Sequence, residues 1–192
     1  LKTARKMGIS ISFAGNFRST LWTYQEARDF CTDCLPYVDV LFGIEPYHLW
    51  KNEACQEKGD LKDTLPPDPS LKEQEQIFLE FVRRYPNLKC MARHVRTSYS
   101  SSKNSMKAYM WYQGQTFESP LYTFHILDRI GGGDAFAAGL LYGIMKDFSP
   151  EDMLSFAVAA SVLKHTMHGD GNILDDVSLI KELAQMKFDV NR

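Results

Sequence analysis

Leu127-Asp128-Arg129-Ile130-Gly131-Gly132-Gly133-Asp134-Ala135-Phe136-Ala137-Ala138-Gly139 is the stretch on which the reading of this 192-residue chain turns. Three consecutive glycines that end a strand and open a helix let the backbone approach a ligand closely. They also aim free N–H groups at it from the positive end of the helix dipole. The pattern predicts an anion hole at Gly131, Gly132 and Gly133, with the helix running from Ala135 to Lys146. It is not a Walker A loop, which would close on Gly-Lys-Ser/Thr, nor a dinucleotide fingerprint, which would need glycine where Phe136 stands. Asp134 is then the unusual residue. A carboxylate here would repel a phosphate but could face the attacking group, accepting a proton from a hydroxyl while the glycine amides stabilise charge on a transferring phosphoryl group. The alternative is that Asp134 caps the helix.

Outward from this point the chain alternates strand and helix patterns. Gly8 to Phe13 alternates apolar and polar residues as a strand does, and the Gly15-Asn16 loop follows. Thr23 with Glu26 reads as a capping box on a helix ending near Leu35, before Pro36. Val38 to Phe42 is a short apolar strand, Pro46 to Ala54 a helix, and the proline-bearing Cys55 to Pro69 an irregular insertion. Ser70 caps a helix to Tyr85, and Leu88 to His94 is a strand. The polar Ser98 to Ser105 is a loop, and Lys107 to Tyr112 and Thr116 to Phe124 form a hairpin around Gln113-Gly114-Gln115. Two helices, Ser149 to His165 and Asp176 to Met186, complete the pattern. The alternation predicts an α/β fold with a mostly parallel central sheet, helices on both faces and short antiparallel additions.

Composition narrows the class. Hydrophobic residues make up 44% of the chain, enough for a core, and 22 basic against 24 acidic residues leave no polybasic surface for nucleic acid or membrane. No window is apolar enough for a membrane span, and Cys31, Cys34, Cys55 and Cys90 are too few for a disulfide scaffold, so a cytoplasmic protein acting on small molecules is expected. Cys31 and Cys34 have redox-motif spacing but fall inside a helix, where core thiols are the expected reading. Lys2 to Met7 followed by Gly8 looks like the last turn and cap of a helix, so residues 1–192 are expected to be one partial α/β domain of a larger protein.

The run Asp128-Arg129-Ile130-Gly131-Gly132-Gly133-Asp134, followed by Ala135-Phe136, resembles the second signature of the ribokinase-like (PfkB) carbohydrate kinases, in the form carried by 2-keto-3-deoxygluconate kinases. Ile11 to Arg18 with Leu21-Trp22 resembles the family's strand ending in Asp-x-Asn-x-Arg-x-x-Leu-Trp, and Leu163 to Asp170 its nucleotide-side helix end. The likeness implies a ribokinase-like fold whose N-terminal part and β-lid are missing from this chain. It implies the ATP-dependent phosphorylation of a sugar acid, most simply 2-keto-3-deoxygluconate to its 6-phosphate, with ATP and Mg2+ as cofactors and K+ as a further candidate. Other substrates of the same fold, such as fructose or a nucleoside, are the alternatives, together with a fragment that only binds nucleotide. A homodimer or higher oligomer through the lid is implied for the complete protein.

The resemblance also assigns residues. Asp134 becomes the catalytic base and a substrate contact, and Gly131, Gly132 and Gly133 the anion hole around it. Arg18 becomes the partner of the sugar-acid carboxylate, a task suited to a planar bidentate donor. Asn16, Lys164, His165, Gly169, Asp170 and Asn172 fall on the nucleotide side. No residue is assigned as a metal ligand, the grouping of His165, His168 and Asp170 being the weaker reading. Five positions depart from the family pattern: Ala14 stands where it carries aspartate, Ile44 and Tyr47 occupy its Asn-x-x-Glu motif, with Glu45 beside them, and His168 and Gly171 replace bulkier or proline residues.

Overall fold

The computed structural model describes residues 1–18, 20–44, 69–171 and 177–185. The expected helix from Pro46 to Ala54 and all of the insertion but Pro69 lie outside the described residues. The strands form one mixed sheet of order β1-β2-β3-β4-β5, with β6 paired to β4. The chain divides into two compact units, Leu1–Arg93 with Met110–Thr116 and His94–Tyr109 with Phe117–Arg192, so the dividing line runs through β3 (Cys90–Ser98) and β4 (Lys103–Tyr112). No helix among the described residues is long and apolar enough to cross a membrane.

The first unit opens with α1 (Lys2–Lys6) and, as expected, Gly8 takes the left-handed φ of +73°. Strand β1 (Ser12–Ala14) starts later than the alternation predicts. The amides of Gly8 and Ile9 are spent on the Arg5 and Ala4 carbonyls that close α1, at 3.1 and 3.0 Å, and cannot join a ladder. Helix α2 (Tyr24–Cys34) carries the full capping box: Thr23 Oγ1 accepts from Glu26 N–H, and the Glu26 carboxylate accepts from Thr23 N–H at 2.8 Å. Cys31 and Cys34 are buried and form no disulfide, and burial followed by the charge of Asp33 pushes the Cys34 thiol up, opposite to what a redox thiolate needs. Strand β2 (Val40–Phe42) is buried throughout, as a strand between two parallel neighbours must be, and its register is Val40 opposite Ser12 on β1 and Cys90 on β3. Helix α3 (Leu71–Arg84) starts at the predicted cap Ser70, and Glu73 completes a capping box with it.

Asp39 pins this unit together. Its carboxylate is 1% exposed, accepts the Ile11 N–H at 3.0 Å, and meets Arg5 at 2.8 Å and Lys89 at 3.0 Å. Burial works against the ionised form, but the Ile11 amide and the two cations outweigh it and hold the carboxyl below its ordinary range. A depressed folded-state value adds stability that is present above the unfolded value and is lost as pH falls through the folded one. Asp39→Asn is therefore expected to cost about 1–3 kcal/mol near neutral pH, the deficit shrinking below about pH 4. Urea midpoints of both proteins across that range check it, and a deficit independent of pH would contradict the ionic role.

In the second unit β4 begins at Lys103, inside the stretch Ser98 to Ser105 expected to be loop; only the short turn 99–102 separates it from β3. Polarity misleads here because the buried Asn104 and Ser105 find partners on the exposed Ser98 and Tyr99. Asn104 Oδ1 accepts from Ser98 Oγ at 2.7 Å, and the Ser105 and Tyr99 hydroxyls are 3.0 Å apart. The expected strand Thr116 to Phe124 is two strands, β5 (Gln115–Glu118) and β6 (Tyr122–His125). Pro120 has no N–H for a ladder, and Ser119 bridges the break by accepting from Ala108 N–H at 2.9 Å. Strand β6 then runs antiparallel to β4, Tyr122 opposite Met106.

Helices α4 (Gly132–Met145), α5 (Pro150–Lys164) and α6 (Val177–Ala184) follow, α5 capped by Ser149 and buried from Met153 to Val162 apart from the half-buried Ser155. Gly139 and Gly143 bring α4 and α5 together: a Cβ at Gly139 would lie 2.9 Å from Ala157 Cα, and one at Gly143 2.7 Å from Met153 Cγ.

Candidate functional site

The chain leaves β6 at His125, so residues 126–131 are a loop and not the strand end the sequence suggested, and α4 begins at Gly132, three residues earlier than predicted. Gly131 stands before the helix with φ +77° and no side-chain cap, so the first amides of α4 keep no side-chain acceptor of their own. Asp134 is in the first turn and exposed, not at the cap position; the cap alternative is thereby removed.

The three glycines differ in what they permit. A Cβ at Gly131 would approach the Asp170 carbonyl oxygen to 2.8 Å and Lys164 Cε to 3.1 Å, on a backbone that L-residues rarely adopt. A Cβ at Gly132 would collide with the Cε1 edge of the His165 ring, 2.7 Å from Nε2 and 2.8 Å from Nδ1. At Gly133 the nearest atom is 4.0 Å away.

His165 holds this floor in place. It is 3% exposed, its Nδ1 lies 2.7 Å from the Ser161 carbonyl oxygen and its Nε2 3.4 Å from Arg96 Nη1. A neutral ring with the proton on Nδ1 satisfies both partners. Burial first, then the charges of Arg96, Lys164 and Arg129, push its pKa down against the opposing Ser161 bond. A base whose folded value is lowered lends stability that is complete above the unfolded value and is lost as pH falls through the window below it. The His165 ring proton is expected to titrate below about 6.5 in an NMR pH series, and titration above that value would contradict the buried neutral form. The His165 carbonyl also receives the Leu127 and Asp128 amides at 2.8 and 3.2 Å, which fixes where the glycine loop starts.

Two further groups hold the loop, and neither received a role from the sequence. Ser161 Oγ donates to the Gly132 carbonyl at 2.8 Å; the available signal was a lone hydroxyl in the apolar run Val158 to Val162. The Asp128 carboxylate accepts from Ile130 N–H at 3.0 Å and Gly169 N–H at 2.9 Å, tying the loop 126–131 to the loop after α5. Those amides hold its carboxyl below the usual value.

Gly131, Asp134, Lys164 and Asp170 line one cavity of about 340 Å³, whose other wall includes Ala138, Tyr142, Phe156 and Ile180. This volume and the pairing of an apolar wall with a few convergent polar groups suit a small organic ligand with an anionic end. Lys164 is 1% exposed and donates from Nζ to the Gly169 carbonyl at 2.5 Å. His165 lies beneath the loop as a support. Asn16 and Arg18 belong to the first unit, both exposed, Asn16 with φ +42°; Ala14 ends β1 and Ile44 is buried. Asn172 and Tyr47 lie outside the described residues. Among the described residues no group of three or more His, Cys, Asp or Glu side chains converges.

An open α/β sheet with a glycine-led, uncapped helix start on a half-apolar cavity has the ribokinase-like fold. The chain matches the 2-dehydro-3-deoxygluconokinase structure of Thermotoga maritima with a TM-score of 0.81 and 32% identity, over 96% of this chain and 53% of that one. Within that fold, residues 105–176 match the model of the pfkB family carbohydrate kinases, which bears out the resemblance read from the glycine signature. The 2-dehydro-3-deoxygalactonokinase of Haloferax volcanii is 27% identical over 173 residues, 88% of this chain and 46% of that protein. The 5-dehydro-2-deoxygluconokinase of Shouchella clausii is 28% identical over 182 residues, 95% of this chain and 49% of that protein. The chain thus spans about half the length of the curated relatives it matches.

Proposed function

We propose that this chain is the nucleotide-binding and catalytic portion of an ATP-dependent cytoplasmic sugar-acid kinase, acting most simply on 2-keto-3-deoxygluconate. The observation that carries the proposal is the uncapped start of α4 at Gly131, with Asp134 in its first turn, on the cavity that Lys164 and Asp170 also line. All three relatives reported above are named as kinases of dehydro-deoxy sugar derivatives. A nucleotide fits these residues: the apolar wall around Tyr142 and Phe156 accepts a base, and the α4 amides with the Lys164 charge accept phosphates. The described residues offer no carboxylate cage, so Mg2+ would be held through the nucleotide's own phosphates.

ATP, when bound, supplies the transferable γ-phosphoryl group. The chain's residues position and neutralise. Asp134 takes the proton of the sugar hydroxyl as it attacks, and the Gly132 and Gly133 amides donate to the oxygens where charge develops; the family resemblance gives Arg18 the carboxylate of the sugar acid. The arginine selects against fructose and nucleosides, which have no carboxylate for it.

The test is coupled ADP release by this chain with Mg2+, ATP and 2-keto-3-deoxygluconate, beside calorimetry with ATP. Release that requires the sugar acid supports the kinase. ATP binding without release would replace it with a nucleotide-binding module, a reading that Ala14 favours because the family's aspartate is absent there. No binding of ATP would overturn both.

A further inference from the structure

Lys164 is a buried ammonium on the wall of the cavity, and burying a charge is costly unless something neutralises it. Its one hydrogen bond among the described residues goes to the Gly169 carbonyl, and the Asp128 carboxylate, whose field reaches it, is already occupied by two backbone amides. An anion in the cavity would complete the neutralisation.

The same arrangement bears on K+, which the family resemblance raised. A K+ ion needs a shell of oxygen ligands. Around the Gly131 turn, among the described residues, a cation already holds that place: the Lys164 ammonium rests on the Gly169 carbonyl, and its charge would repel a metal ion drawn to the Asp128 carboxylate, whose two oxygens each already accept an N–H. The lysine stem also fills the space beneath the turn, with Cε 3.1 Å from where a Gly131 Cβ would be. These residues do not fit a monovalent metal ion at this place.

We propose that Lys164 is the resident monovalent cation of this site: a tethered ammonium that ties the Gly131 turn to the Gly169–Asp170 loop and sets fixed positive charge against the phosphates of a bound nucleotide. The inference rests on the reading that the cavity takes a nucleotide. A tethered cation costs no binding step and is always present, so nucleotide affinity should not depend on which monovalent salt is supplied.

Calorimetry on this chain with ATP and with adenosine, in potassium chloride and in tetramethylammonium chloride at equal ionic strength, tests it. The expected result is an ATP affinity that changes less than about twofold between the salts. Lys164→Met should weaken ATP by about tenfold or more in either salt while leaving adenosine nearly unchanged. Lys164→Arg should keep most of the ATP affinity, since it keeps the charge. Where circular dichroism shows Lys164→Met to be unfolded, the wild-type salt comparison and Lys164→Arg decide. An ATP affinity that rises severalfold with K+ in the wild type would overturn the proposal and leave the nucleotide site standing. Equal weakening of ATP and adenosine in Lys164→Met would overturn it too, by reducing Lys164 to a purely structural role. Wild-type protein that binds neither ligand would end both readings.

Discussion

Asp134→Asn is expected to lower sugar-dependent ADP release by about 10²- to 10⁴-fold while leaving ATP affinity unchanged or slightly higher. Asparagine has almost the same shape and keeps an acceptor oxygen, but it cannot take up the hydroxyl proton. The side chain is exposed in the first turn of α4 and is not the cap, so the replacement breaks no capping bond and should leave thermal stability within about 0.5 kcal/mol. ATP binding should survive because the phosphates rest on backbone amides and on Lys164, and removing a nearby negative charge lessens repulsion. The split between lost turnover and retained ATP binding separates a base from a structural residue. Retained turnover would remove Asp134 from the mechanism, and an equal loss of both would recast it as a binding residue.

Gly132→Ala is expected to destabilise the second unit by roughly 2–4 kcal/mol, whereas Gly133→Ala one residue on should gain about 0.5–1 kcal/mol. In a generic helix both replacements would gain stability, since alanine orders more readily than glycine. The contrast comes from what each Cβ meets. At Gly133 it meets nothing closer than 4.0 Å, but at Gly132 it would collide with the edge of the His165 ring. That ring cannot simply swing away, because Nδ1 is held on Ser161 and Nε2 faces Arg96, so making room means breaking a buried polar network. Denaturant midpoints of the two variants test this, and equal midpoints would show that His165 yields freely.

Several features were fixed by sequence because their causes are local. The Thr23–Glu26 box and the Ser70 cap start α2 and α3 where predicted, since capping involves residues at most three apart and needs no other part of the chain. The left-handed Gly8 and the apolar β2 were legible for the same reason, the first a helix-end geometry and the second a run that only a buried parallel strand can hold. The glycine signature also stood out, and Gly131 and Asp134 from it line one cavity with Lys164 and Asp170.

Tertiary structure decided what depended on partners far along the chain. The polar residues Asn104 and Ser105 became buried strand because Ser98 and Tyr99 satisfy them across the turn, a pairing invisible to polarity. Asp39 joins Arg5, Ile11 and Lys89, and its role follows from that convergence alone. Sequence treated Gly131, Gly132 and Gly133 as three copies of one device, and His165 as a nucleotide contact. Only packing shows that the first is a turn, the second a berth for the His165 ring and the third open, because steric demand is set by whichever atoms the fold brings opposite each Cβ. The sequence by itself determined the chemistry available at the head of α4. The tertiary structure determined which groups hold that head still, since rigidity comes from long-range contacts that a local pattern does not contain.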